Sequence, residues 1–327
     1  MSKSNIDLSM LSSIKDDRYI SLKDCLKDID LDKYEIPVCL GRDSNKDIVF
    51  KDLVDIKNIL MSGMTHSGKS VFINSFINTI LLTKTEKEVK LLFIDPKMVE
   101  MSIYENIPHN IFPIVHDTKK APDTFTWCIE EIERRKTRKE DKPYIIIVAD
   151  EYEDTMLAEI GVEEKLCKIA SEGKEVGIFM ILSSARASAT IITKKLKNVI
   201  KTRIAFAMIS KIDSKTLLDE EGGEELLGNG DMIFKSENEK IRVQAPWISY
   251  EEQISVVNKV GYNPQYAELE IKETVRDELL YERVKQLQKR HKNLTTNILQ
   301  RELQIGYNKA SEILKEINKN EDIPEYR

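Results

Sequence analysis

The sequence has little cysteine and no long apolar run. Its longest apolar runs, at residues 145–149 and 178–182, are far too short to cross a bilayer. It does not open with a charged and apolar secretion leader. The cysteines lack the paired spacing of a disulfide framework or a zinc site and lie at positions 25, 39, 128 and 167. These absences predict a folded protein of the reducing cytoplasm.

Positive charge is also not in excess. The 327 residues carry a formal net charge of −6, and 32% of them are charged with both signs mixed. This balance argues against a uniformly basic nucleic-acid coat, although it leaves a local groove or channel open. A hydrophobic content of 41% is enough for the core of one large domain and a small one.

From about residue 36 onward, apolar strand patterns alternate with helical patterns. Two short strands are predicted around a turn at residues 43–46, and the next strand leads into a helix from Lys69. Alternating strands and helices predict an α/β domain with a mostly parallel sheet covered on both faces. The other predicted helices lie near 99–106, 121–138, 162–172, 191 and from 213.

The chain is predicted to have four parts. Residues 1–35 form an N-terminal extension, 36–262 the α/β domain, 263–276 a linker, and 277–327 a small helical domain. In the last part, apolar residues recur at helical spacing, and the turn IGYN supplies the glycine expected of a helix-turn-helix. The apolar positions of its first two predicted helices are Leu280, Val284, Leu287, Ile298 and Leu299.

The strongest functional signal is the segment 58–82, NILMSGMTHSGKSVFINSFINTILL. Between an apolar strand and a helix it carries the P-loop pattern, a glycine, four residues and Gly-Lys-Ser. Loop amides and the helix N-terminus would hold phosphates, Lys69 would reach the β and γ oxygens, and Ser70 would ligate Mg2+. The alternative is a glycine-rich turn with an exposed lysine. The predicted ATP-binding residues are Gly63, Met64, Thr65, His66, Ser67, Gly68, Lys69, Ser70 and Val71.

An acidic pair follows the apolar run YIIIVA at residues 144–149. In an open parallel sheet, ligands bind outside the carboxyl ends of the strands. Asp150 is therefore predicted to complete the Mg2+ site, and Glu151 to orient or deprotonate the attacking water. Taken without the P-loop, the same pair would indicate a strand followed by a helix cap.

Several long blocks resemble the motor of FtsK/SpoIIIE-type DNA translocases. They are the P-loop, IDPKMVEMSIYENIPHN, WCIEEIERR and TRIAFAMISKIDSKTLLDEEGGEELLGNGDMIF, in the order of that family. LQRELQIGYNKASEIL resembles its C-terminal winged-helix γ domain, so the resemblance covers about residues 36–319. It implies a RecA-like P-loop ATPase that forms a hexameric ring around double-stranded DNA and moves along it by hydrolysing ATP.

The resemblance also implies roles for three cationic side chains, and this sequence departs from the family pattern at two positions. It implies Lys174 and Lys211 as groups that complete the ATP site of a neighbouring subunit, and Arg186 as a group near the phosphate of its own subunit. The alternative for each is a solvated side chain. His66 stands where the family usually has glycine, and Ala185 falls where it has a polar sensor glutamine. An alanine side chain cannot hydrogen-bond a phosphate or a water molecule.

The membrane segments of the family are absent, and the wing is reduced to KNEDIPEYR. We therefore expect a cytoplasmic ATPase without its own membrane anchor, acting in DNA segregation or in transfer of a mobile element. The negative charge of Glu312, in the last predicted helix, would be repelled by DNA phosphate. Nonspecific DNA contact and binding of a protein partner are therefore both left open for this part of the chain. The alternatives are a nucleotide-gated DNA-binding or partition adaptor, and a DNA-packaging or conjugation pump.

Overall fold

The computed structural model describes most of the chain as two compact units, Met1–Asn263 and Pro264–Arg327. The described residues are 6–13, 19–98, 100–158, 160–262, 284, 287, 294, 295, 298 and 299. In the second unit, positions 284, 287, 298 and 299 are helical, and the side chains of Val284, Leu287 and Leu299 are buried. The predicted linker and the reduced wing lie outside the described residues.

The first unit is built on a nine-stranded sheet, with a separate two-stranded ladder. In the described part of the chain, the strands are β1 (Ile20–Ser21), β2 (Pro37–Asp43), β3 (Ile48–Asp52), β4 (Ile59–Ser62), β5 (Val89–Ile94), β6 (Tyr144–Ala149), β7 (Ile178–Ser184), β8 (Thr202–Ala205), β9 (Asp231–Lys235), β10 (Lys240–Gln244) and β11 (Pro246–Trp247). The large sheet has the order β3-β2-β10-β9-β8-β4-β7-β6-β5, and β1 pairs with β11.

One half of the large sheet is parallel and the other half antiparallel. Strands β8, β4, β7, β6 and β5 run parallel, so their carboxyl ends share one edge. Strands β9, β10, β2 and β3 continue the sheet in antiparallel pairs, and β2 and β3 form the hairpin predicted from the sequence. The predicted α/β architecture is therefore confirmed, with five of the nine strands forming the parallel part of the sheet.

The parallel strands are buried on both faces. Leu91 and Phe93 of β5 belong to one apolar cluster, whereas Leu92 and Ile94 belong to another. Since successive side chains of a strand point to opposite faces, the two clusters are the two layers of core that cover the sheet. This explains why these strands have continuous apolar sequences rather than alternating ones.

The described helices are α1 (Leu22–Leu26), α2 (Leu53–Ile56), α3 (Lys69–Thr83), α4 (Ala121–Arg138), α5 (Tyr152–Ala158), α6 (Val162–Glu172), α7 (Lys194–Val199), α8 (Lys211–Leu218) and α9 (Tyr250–Val260). The predictions for α3, α4 and α6 are confirmed, and the short helix predicted near residue 191 begins slightly later, at Lys194. Helix α3 packs into one core layer, and α4 and α6 pack into the other. None of the described helices has the length and apolarity that a bilayer crossing requires.

The helical pattern predicted at residues 99–106 is only one turn of 3-10 helix, Ser102–Tyr104, in its described part. The backbone amides of Glu100 and Met101 donate to Asp95 Oδ2 at 3.2 and 3.1 Å, which folds the chain back on the end of β5. These side-chain bonds replace the amide-to-carbonyl bonds of a longer helix.

The N-terminal residues pack against α9, the last helix described in the first unit. Besides the pairing of β1 with β11, the backbone amide of Ser12 donates to the carboxylate of Glu252. The carboxylate of Asp7 also lies 2.8 Å from Lys259 Nζ. Both partners belong to α9, so residues far apart in sequence close this domain.

Candidate functional site

The P-loop joins β4 to α3, and close backbone packing fixes its path. Gly68 has a φ of +107°, and a Cβ built there would lie 2.3 Å from the backbone nitrogen of Gly230. A Cβ on Gly63 would lie 2.6 Å from Cβ of Phe206. The Gly230 amide also donates to the carbonyl of Ser67 at 2.9 Å. Both glycines of the motif are therefore required by their neighbours.

The middle of the loop faces solvent. Met64, Thr65 and His66 are exposed, whereas Ser67 is buried. His66 has a left-handed φ of +63°, a conformation that glycine adopts most easily but that histidine tolerates in short turns. Because its side chain is exposed, the replacement of glycine by His66 does not fill the interior of the loop.

Lys69 begins α3 and is held inside the loop. Its Nζ donates to the carbonyl oxygens of Gly63 at 2.5 Å and Met64 at 3.2 Å. Only 9% of the residue is exposed. Burial lowers the pKa of Lys69, while the carboxylates of Asp150 and Glu153 act in the opposite direction. The ammonium group therefore lies between the loop carbonyls and an acidic sheet edge.

Two buried aspartates form that acidic edge. Asp95 follows β5 and Asp150 follows the adjacent β6, with exposures of 1% and 8%. The amide of Asp150 donates to the carbonyl of Ile94 at 3.0 Å, which continues the ladder beyond the strand. Burial raises the pKa of Asp150, and the negative charge of Asp95 adds to this effect. A cation at this edge would relieve the repulsion.

Ser70 and Glu100 connect the P-loop helix to the segment after β5. Ser70 lies in the first turn of α3, where it was predicted to ligate Mg2+. Burial raises the pKa of Glu100, against the opposing effect of a hydrogen bond with the side chain of Ser70. The charges of Asp150 and Asp95 raise it further. Glu100 is therefore a fourth group at the edge formed by Ser70 and the two aspartates.

Glu151 is at the predicted edge but is paired with a lysine. Its backbone has a left-handed φ of +45°, and its carboxylate forms an ion pair with Lys97. The side chain of Glu151 is 21% exposed. The residue that was predicted to act on water thus lies beside Asp150 with its charge compensated.

Glu153, in the first turn of α5, bonds to the end of a neighbouring strand. Its Oε1 accepts a hydrogen bond from the backbone amide of Ala185 at 2.7 Å. Its Oε2 is buried and has no hydrogen-bond partner within the part of the chain that the structure describes. Burial raises the pKa of Glu153, while hydrogen bonds from its own backbone amide and from that of Ala185 oppose this. Since Ala185 directly follows β7, this carboxylate connects α5 to the end of a neighbouring strand.

These residues fit a magnesium nucleotide. Ser67 Oγ is buried without a hydrogen-bond partner among the described residues, as expected for a group that a loop-bound ligand would satisfy. Across those residues, no three His, Cys, Asp or Glu side chains are arranged to hold a metal by themselves. Mg2+ is commonly bound by one or two protein oxygens together with substrate phosphates and water. Ser70 and Asp150 are suited to that kind of shared coordination.

The predicted cations lie in different places. Arg186 is exposed just beyond β7, at the same sheet edge as the P-loop. Lys211 begins α8 beyond β8, also on that side, but its Nζ lies 2.6 Å from Glu221 Oε2. The hydrogen bond with Glu221 raises the pKa of Lys211.

Lys174 lies at the opposite edge of the sheet. It belongs to the turn Gly173–Val176, which precedes β7, and its side chain is exposed. With Lys57 and Lys201 it lines a cleft of about 570 Å³ beside the amino ends of β4 and β8. The structure therefore separates Lys174 from the P-loop of its own chain.

Three carboxylates at the site were not predicted from the sequence. Asp95 could have been found by the argument that identified Asp150, because it also ends a buried parallel strand. Glu100 and Glu153 have no comparable signal, since only tertiary contacts bring them to the nucleotide edge.

Comparison with known proteins gives consistent matches. Residues 25–139 match the FtsK/SpoIIIE family. The chain is 37% identical over 324 residues to the DNA translocase FtsK of Caldanaerobacter subterraneus subsp. tengcongensis, with 90% of this chain and 46% of that protein covered. It is 33% identical over 352 residues to FtsK of Leptospira interrogans, covering 96% and 37% respectively. The chain thus spans less than half the length of these relatives.

The fold is shared with a solved structure of a protein bound to ATPγS. The monomer form of the pCW3 conjugation coupling protein TcpA with ATPγS matches with a TM-score of 0.63 and 19% identity. The match covers 75% of this chain and 74% of TcpA. At this identity the likeness establishes the P-loop α/β fold.

Proposed function

Because this chain belongs to the FtsK/SpoIIIE family, we propose that it is an ATP-hydrolysing motor that moves double-stranded DNA. The observation that supports this most directly is that Lys69 and Ser70, at the start of α3, share one sheet edge with Asp150, which follows β6. A P-loop lysine beside a buried aspartate at the end of a neighbouring strand is the arrangement that phosphoryl transfer uses.

The P-loop provides the phosphate site. The loop amides and the N-terminus of α3 carry partial positive charge and are suited to bind the phosphates of ATP. The buried ammonium of Lys69 now contacts two neutral carbonyls, at Gly63 and Met64. A phosphate oxygen offers it a charged acceptor, and charge-assisted bonds are about twice as strong as neutral ones.

The acidic edge provides the metal site and the water. Ser70 and Asp150 would hold Mg2+, which neutralises phosphate charge when it is bound. Glu151, once released from Lys97, accepts a proton from the attacking water. The water oxygen bonds to the terminal phosphorus, the bond to the bridging oxygen breaks with its electron pair leaving on ADP, and the proton passes from Glu151 to phosphate.

We further propose that the active form is a hexameric ring around DNA. The position of Lys174 at the edge opposite the P-loop supports a role in the ATP site of a neighbouring subunit rather than of its own. Arg186 is on the P-loop side and would act within its own subunit. Lys211 is the weaker candidate, because Glu221 already neutralises it. The biological process would be DNA segregation or transfer of a mobile element.

An ATPase assay with and without long duplex DNA tests this function. The wild type is expected to hydrolyse ATP faster with DNA, and Lys69→Ala should abolish hydrolysis. Lys119→Ala, which removes an exposed lysine in the segment before α4, is the matched control and should retain activity. No hydrolysis by the wild type with duplex DNA would contradict the proposal.

A triplex-displacement assay separates a motor from an adaptor. A protein that moves along DNA strips a third strand from the duplex during ATP hydrolysis. A DNA-binding or partition adaptor that only assembles on nucleotide leaves that strand in place. Hydrolysis without strand release would therefore favour the adaptor.

A further inference from the structure

The proposed hydrolysis site contains a polar side chain, but at a different sequence position from the one that the family resemblance implies. Residue 185 should carry the polar sensor side chain but is alanine. In the structure, the backbone amide of Ala185 donates a hydrogen bond to Glu153 Oε1 at 2.7 Å. A carboxylate from α5 thus occupies the space beside the end of β7.

The second oxygen of Glu153 lacks a donor. Within the described residues, Oε2 is buried without a hydrogen-bond partner. Leaving a buried polar atom without a hydrogen bond is costly, so its retention is explained by a bound water or a catalytic role. Glu153 also lies at the nucleotide edge of the sheet, since α5 follows β6 and Ala185 follows the parallel strand β7.

We propose that Glu153 is a water-positioning residue of the hydrolysis site, with Oε1 fixed by the Ala185 amide and Oε2 accepting a hydrogen bond from the attacking water. This inference rests on the proposed ATPase function. Glu153 would orient the water, while Glu151 accepts its proton.

The chemistry favours water over the other ligands of the site. A carboxylate repels the triphosphate, so a direct bond from Glu153 to phosphate is unfavourable. An ionised carboxylate is an acceptor only, and water is the donor that the reaction requires. Burial raises the pKa of Glu153, and the bond from the Ala185 amide opposes this by stabilising the ionised form that can accept.

Glu153→Gln separates positioning of water from support of the backbone. The glutamine keeps an oxygen that can accept the Ala185 amide, but it replaces the free acceptor with an NH2 donor. We expect kcat to fall roughly 100-fold, the lower range for loss of a group that acts on the reacting water. Binding of a fluorescent ATP analogue should be unchanged or tighter, since a negative charge has been removed.

A further pair of variants tests whether Glu153 takes the role of the polar side chain that the resemblance implies at residue 185. Glu153→Ala should lose hydrolysis, and adding Ala185→Gln should restore part of it by supplying a polar group from the opposite side. Glu130→Gln, an exposed position on α4, is the control and should retain the wild-type kcat. Binding of ADP with aluminium fluoride, which mimics the transferring phosphate, should weaken in Glu153→Gln but not in the control.

The outcomes distinguish this inference from the proposed function. If the wild type hydrolyses ATP and Glu153→Gln has the same kcat, Glu153 only supports the backbone and the inference is overturned while the motor stands. If the wild type hydrolyses no ATP with duplex DNA present, the motor function fails and the inference fails with it.

Discussion

Replacing Gly68 with alanine would test whether packing between two loops fixes the nucleotide site. A Cβ at this position would lie 2.3 Å from the nitrogen and 2.6 Å from the Cα of Gly230. Both are backbone atoms, so the contact can be relieved only by moving one of the loops. We therefore expect Gly68→Ala to lower the free energy of unfolding and to weaken ATP binding together.

A second glycine supplies the reference for the magnitude. Gly161 has a similar φ of +98°, but a Cβ there would have nothing within 4 Å. Gly161→Ala therefore carries only the left-handed backbone strain, about 1–2 kcal/mol. Gly68→Ala carries that strain and an overpacked contact, which adds about 1–3 kcal/mol. Displaced loop amides should also weaken ATP binding about tenfold, equivalent to one lost hydrogen bond of about 1.4 kcal/mol.

Urea unfolding measures the first effect and ATP titration the second. Trp127 and Trp247 both belong to the first unit, so their fluorescence follows its unfolding. Titration with a fluorescent ATP analogue gives the affinity of each variant. Equal losses of stability in the two variants, with an unchanged ATP affinity in Gly68→Ala, would refute the role assigned to loop packing.

His109 and His116 should change stability with pH in opposite directions, and variants of Lys69 and Lys174 should restore activity when they are mixed. Burial lowers the pKa of His109 below 6.5, so the folded state binds fewer protons and loses stability as the pH falls through 6.5; His109→Gln should reduce that loss. For His116, burial acts downward, but hydrogen bonds with the Glu105 carboxylate and the Asp95 carbonyl raise the pKa above 6.5 overall. The stabilisation that protonated His116 contributes is therefore fully present below pH 6.5 and is lost as the pH rises through its pKa in the folded state. His116→Gln should cost more stability near about pH 5.5 than near about pH 8. Urea unfolding at both pH values checks this pair, and shifts of the same sign would contradict it. Lys174→Ala should lose DNA-stimulated hydrolysis, yet an equal mixture with Lys69→Ala should recover part of it, because some neighbours would then combine an intact P-loop with an intact Lys174. An ATPase assay of the mixture that shows no recovery would remove Lys174 from the shared site.

Local sequence predicted the elements with strong periodicity. The helices at Ala121–Arg138 and Val162–Glu172 begin and end where the apolar pattern and the following residues indicated. The α9 helix was missed although Ser249 and Glu252 form a capping box, a signal that can be read from the sequence. Short elements such as α5 depend on packing, and their propensities are too weak to predict them alone.

The candidate site shows a similar limit. Lys69 and Asp150 could be predicted because a motif and a strand end fix their positions. Glu100 and Glu153 approach the same edge through chain reversals after β5 and β6, and no spacing rule describes those reversals. The pairing of Glu151 with Lys97 was equally hidden, since it depends on the fold of the segment after β5.

The contacts of the N-terminal residues with α9 have a consequence for the connectivity of the domain. With Asp7 beside Lys259 and Ser12 bonded to Glu252, the two ends of the first unit lie next to each other. A circularly permuted chain could therefore join them through a short linker and open at the exposed turn 237–238 between β9 and β10. Every strand neighbour in the sheet would be preserved, because the architecture depends on which segments touch rather than on the order in which they are synthesised.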